Sequence, residues 1–110
     1  MIDRWVEILE KEKHKAEERV RKANPDPKTL DLALKEIDIN ATTVENFLRQ
    51  MHKSGFVMND DFSRIEKDYN ENESYRSLHN HIAHHIWEVR TNIPQQVEEG
   101  EFRPHYARMY

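Results

Sequence analysis

The sequence predicts an all-α protein: a small elongated helical bundle of three long helices, the third broken, completed by dimerisation. Three observations point there. The first is an unbroken apolar seam, Leu30, Leu34, Ile37, Ala41, Val44, Leu48 and Met51, whose alternating steps of four and three form a heptad pattern. The second is that only two glycines, Gly55 and Gly100, and no cysteine are present. So few glycines leave little room for the tight turns of a β-meander, and there is no disulfide framework or thiolate metal site. The third is a thin supply of core. Hydrophobic residues make up 36% and charged residues 35% of the chain, where average usage is about 45–50% apolar and about 25% charged. A small domain already struggles to bury enough surface, and self-association through the seam is one way to supply the rest.

Residues 1–100 read as one helical-bundle domain and residues 101–110 as an aromatic and basic tail expected to pack back across it. Asp3 is placed to cap a first helix running to about Ala23, with Ile2, Trp5, Leu9, Ala16, Val20 and Ala23 as its seam. Between Glu10 and Arg19 every residue but Ala16 is charged or histidine, which reads as a solvated face. Pairs such as Glu7–Lys11 and Glu18–Lys22 have the spacing to support it.

Asn24-Pro25-Asp26-Pro27 stops that helix and starts the next, with Asp26 as cap and Pro27 at the first helical position. Asp38, Asn40, Thr42 and Thr43 are poor helix formers, so packing rather than propensity must uphold this second helix. Ser54-Gly55 is its expected stop, giving a rod of roughly 40 Å at ~1.5 Å per residue. Beyond Phe56-Val57-Met58, Phe62, Ile65 and Tyr69 share one face before Asn70-Glu71-Asn72-Glu73 interrupts the pattern. Ser74 is then placed to cap a last long segment through Leu78, Ile82, Ile86 and Val89. Asn92 and Pro94 predict a kink or a short final turn to Val97, closed by Gly100.

Four of the seven histidines, His79, His81, His84 and His85, fall within this last segment. Imidazole titrates near neutrality, ligates metals and moves protons, so the cluster is the candidate site. At ~100° per residue, Leu78, Ile82, Ile86 and Val89 face the core with His85 on their flank. Ser77, His81, His84 and Glu88 then form a stripe toward water. His81 and His85 have the i,i+4 spacing for two imidazoles on one zinc or nickel ion, though a zinc site normally needs further ligands.

The run Arg76-Ser77-Leu78-His79-Asn80-His81 is similar to the Arg-x4–6-His motif of HEPN domains, small all-helical dimers that cut RNA. Ile86-Trp87-Glu88-Val89-Arg90-Thr91-Asn92-Ile93-Pro94 resembles the helix that follows the motif in some of them. The resemblance implies a metal-independent ribonuclease in which Arg76 stabilises the phosphate and His81 is the acid or base.

Neither glycine lies in a phosphate loop or dinucleotide-binding pattern. A net charge of −4 with neutral histidines is the wrong sign for a nucleic-acid coat. No apolar run approaches the ~20 residues that span a bilayer, and no signal-peptide stretch opens the chain. The expectation is therefore a cytoplasmic homodimer without a required cofactor, non-enzymatic and regulatory or adaptor in role. A small inhibitor of phage or mobile-element type, bound to a protein partner, fits that description. The ribonuclease, with RNA as partner, is the alternative, and a helical metal-binding protein comes third.

Overall fold

The computed structural model describes residues 2–53 and 76–105. Helix α1 spans Ile2–Lys22 and α2 spans Pro27–Lys53. Helix α3 spans Arg76–Trp87, continues through a π turn at Glu88–Asn92, and runs on as α4 at Ile93–Glu99. No strand occurs among the described residues. The expected interruption at Asn70 to Glu73 and the stop at Ser54-Gly55 lie outside them.

Side-chain chemistry sets the helix ends. Asn24 takes the left-handed conformation, φ 55°, and its N–H bonds to the Arg21 carbonyl at 3.1 Å. Pro25 then forbids continuation. Asp26 caps α2: its carboxylate accepts the Thr29 backbone N–H at 3.2 Å and also the Thr29 hydroxyl. These bonds, side-chain first, hold the Asp26 carboxyl below its ordinary range. The backbone of α1 is already helical at Ile2, so the start expected at Asp3 falls inside the helix rather than ahead of it.

The core joins all three helical segments. Trp5, Leu9, Ala16 and Val20 of α1 meet Ala33, Ile37, Ala41, Val44 and Leu48 of α2. Ile82, Ala83 and Ile86 of α3, Val89 of the π turn, and Ile93 and Val97 of α4 complete the cluster. Helix α2 packs against both α1 and α3, while the π turn and α4 close against α1 and α2. The long axis of the molecule, 43 Å against 26 and 24 Å, is about the length of α2 at ~1.5 Å per residue.

Two expectations about the second seam change. Leu30 and Leu34 are only half-buried, and the inner line runs instead through Ala33, Glu36, Ile37, Asn40, Ala41, Val44 and Leu48. Contact with helices on two sides widens the buried face. The seam residues Ile37, Ala41, Val44 and Leu48 are covered within one chain, so this face is not left for a second copy.

The charged middle of α1 is also less solvated than its composition implies. Lys13 pairs with Asp38 of α2 at 2.7 Å, Glu12 with Arg90 at 3.2 Å, and Arg19 with Glu98 at 2.6 Å. Among the described residues, Glu7–Lys11 and Glu18–Lys22 do not pair, and His14–Glu18 at 3.2 Å does. These charges tie helices to one another as well as facing water.

The break near the C-terminal end of the third segment is a widened turn. Pro94 has no N–H to offer the Arg90 carbonyl. The helix responds with π geometry, Ile93 N–H bonding the Glu88 carbonyl, and the Arg19 guanidinium donates to the Arg90 carbonyl at 3.2 Å. Gly100 then closes α4 with φ 74°. Gly100 N–H bonds the Val97 carbonyl at 3.1 Å and Glu101 N–H the Gln96 carbonyl at 2.8 Å, the paired bonds of a Schellman closure. Beyond it, half-buried Phe102 packs on the core, and the His105 N–H donates to Glu36 Oε1 at 3.2 Å. Residues 101–105 thus run back over α2. Among the described residues, no helix is long and apolar enough to cross a membrane.

Candidate functional site on the histidine helix

The two described histidine side chains of α3 meet different surroundings. His85 is buried and His84 is exposed, although they are adjacent and their rings meet edge-on with centroids 5.3 Å apart. The buried positions, Ala83, Ile82, Ile86, Val89, His85 and Glu88, cover more than half of the circumference at ~100° per residue. That leaves a narrow outward stripe of His84, Trp87 and Thr91.

Inward, His85 meets a polar residue of α2, Asn40, that the sequence does not advertise. Asn40, wholly buried, donates its amide Nδ2 to the Glu36 carbonyl at 2.8 Å. Its Oδ1 is thereby turned toward His85 Nδ1, 2.6 Å away. An amide oxygen can only accept, so His85 must carry a proton on Nδ1. In the neutral ring this places the lone pair on Nε2. Glu36, 1% exposed, holds the tail through the His105 N–H. Asn40 therefore joins α2 to α3, while neighbouring Glu36 joins α2 to the C-terminal segment. The available signal was positional: Glu36 and Asn40 stand four apart on the flank of the Ile37 and Val44 seam.

Glu88 overturns the expected wet stripe. It is 6% exposed because the π turn packs against α1 and α2. Both its oxygens accept from Asn92 Nδ2, at 3.2 and 3.1 Å, and Asn92 Oδ1 accepts from Gln96 Nε2 at 3.1 Å. His84 Nε2 stands 3.9 Å from Glu88 Oε1, an ion pair only when the imidazole is protonated. A ladder of steps of four, His84, Glu88, Asn92 and Gln96, thus runs across the π turn. It requires no bound ligand.

Outward, Trp87 is 43% exposed, with its ring tilted over His84 at a centroid distance of 6.2 Å. An imidazole and an indole so placed form an adaptable polar and aromatic surface.

The other sequence candidates are placed by backbone alone. Arg76 is the first residue of α3 and His81 lies within it, while both side chains fall outside the described residues. On one continuous helix, positions five apart differ in direction by ~140°. The proposed metal pair joins that undescribed His81 side chain to His85, whose Nδ1 is engaged by Asn40. Among the described residues, no group of three or more histidine, aspartate or glutamate side chains is disposed to hold a metal ion. The chain matches no family model, no curated protein and no solved structure.

Proposed function

We propose that this chain is a non-enzymatic regulatory or adaptor protein that binds a protein partner through the outward stripe of α3. The observation that carries the reading is Trp87, 43% exposed beside His84, where the other large apolar side chains among the described residues are buried or half-buried. Tryptophan is among the residues that dominate binding energy at interfaces, because it covers a large area with few rotamers. Its neighbour His85 serves the fold instead, bound to Asn40.

The test is a photo-reactive side chain placed at position 87 in cells producing the protein, with the same probe at exposed Lys28 as control. Position 87 should give one discrete adduct that position 28 does not. An adduct of twice the chain mass identifies a second copy, and another mass identifies a different protein. No discrete adduct, or equal adducts from both positions, contradicts the reading.

The second reading is a HEPN-like ribonuclease using Arg76 and His81, favoured by the single helix that carries both residues. In a HEPN-like dimer the Arg76 and His81 pairs of both copies would line one cleft. Cleavage of RNA in the presence of a chelator, abolished in His81→Ala, would support it; intact RNA would remove it.

A further inference from the structure

The charged run of α1 has a consequence beyond the docking stripe. Where α1 passes the π turn, a groove of about 320 Å³ is lined by Glu12, Lys15, Ala16, Arg19, Arg90 and Thr91. Three of these residues are cationic and one is acidic, in a chain whose formal net charge is −4. Cationic side chains are therefore concentrated here against the sign of the whole molecule. From these observations we infer that this groove is a binding site for a small phosphate-class anion.

Three features prepare it. Arg19 is held in place from one side, its Nε and Nη2 donating to Glu98 at 3.1 and 2.6 Å and its Nη1 to the Arg90 carbonyl at 3.2 Å. A guanidinium has five N–H donors, so these bonds orient Arg19 and still leave donors for an anion. Arg90 is paired with Glu12, Nε to Oε2 at 3.2 Å, both side chains being half-buried. Lys15 reaches Glu12 only at 3.9 Å and is 71% exposed, so it can swing onto a ligand with little loss. Pre-ordered guanidiniums lose less freedom on binding than mobile ones.

The wall opposite α1 is the π turn itself. It carries Arg90 and Thr91 on successive residues, and Thr91 adds a hydroxyl to the cationic lining. Single π turns within α-helices are frequent at functional sites. Glu12 and Glu98 compete for the same cations, so affinity for a lone anion should be modest and sensitive to ionic strength. A dianion competes better than chloride, because it engages two cations at once. This site shares Thr91 with the outward stripe of α3 but does not involve Trp87 and does not rest on the docking proposal.

Inorganic phosphate is the probe. Titrated at constant ionic strength in place of chloride, it should shift the backbone amide resonances of Lys15, Ala16, Arg19, Arg90 and Thr91 saturably. Both Arg90→Gln and Lys15→Gln should weaken binding, the former by about tenfold or more. Lys15→Gln removes only an exposed side chain, so it keeps the test valid should Arg90→Gln disturb the fold. Lys35→Gln, a cation outside the groove, should change nothing. Shifts that fail to saturate, that spread over the whole surface, or that survive Lys15→Gln unchanged would overturn the inference.

Discussion

At the scale of single residues, Asn40 separates the two lives of the histidine cluster. It is a poor helix former in the middle of the longest helix, wholly buried, and it spends its amide on Glu36 and its oxygen on His85. A buried donor without its acceptor costs about 1–3 kcal/mol. Asn40→Leu should therefore lower the unfolding free energy by about that amount, measured by chemical denaturation. Adding His85→Leu in the same chain should recover most of the loss, since the donor and the acceptor of this bond are then both removed. A double variant as unstable as the single one would show that the bond carries nothing. Periodicity placed His85 on a flank but had no means of telling it from a wet histidine. What decides is the Asn40 side chain on another helix, 45 residues away, and no spacing rule connects the two.

At the scale of elements, the helix ends at Asn24 to Pro27 and at Gly100 were legible and the ties between helices were not. Asn24 to Pro27 reads correctly because proline and the Asp26 cap act on their immediate neighbours. Gly100 reads correctly for the same reason. Asn92 and Pro94 announced a break, yet its form as a π turn depends on packing and on Arg19 arriving from α1. Likewise, the acidic and basic side chains of α1 were read as partners of one another, whereas several reach across to α2, the π turn and α4.

The tie between α1 and α4 has a pH signature. Hydrogen bonds from Arg19, reinforced by its positive charge and opposed by slight burial, hold the Glu98 carboxyl below its ordinary value of 4.5. A depressed folded-state value means that the pair's contribution is fully present above the ordinary value. It is lost as pH falls through the lower, folded one. Both side chains are more than two-fifths exposed, so solvent screening limits the pair to about 1 kcal/mol or less. Glu98→Gln should be slightly less stable than the parent at neutral pH. The gap should close as the solution is acidified below the carboxylate range, and added salt should narrow it. A gap that persists unchanged in acid would assign the effect to packing instead.

At the scale of the whole molecule, the all-helical class was legible because it depends on short-range facts: few glycines, long periodic seams and strong stop signals. How the helices share their faces was not. The seam of α2 carries the pattern of a coiled-coil dimer, yet its residues Ile37, Ala41, Val44 and Leu48 are covered by α1, α3 and the elements that follow them within one chain. A heptad repeat shows that a helix has a partner and is silent on whether that partner belongs to the same chain. With the seam enclosed, the outward stripe of α3 and the groove beside the π turn become the surfaces where function is proposed. The stripe depends on the rotation of α3, in which His85 is turned inward to Asn40.

That fixed rotation is tested most directly by the imidazole nitrogen and proton resonances of the folded chain. His85 should show a slowly exchanging proton on Nδ1, coupled to Asn40 and lost in Asn40→Leu, while His84 exchanges its ring proton freely with water. A His85 proton found only on Nε2, or one exchanging as fast as that of His84, would contradict the account.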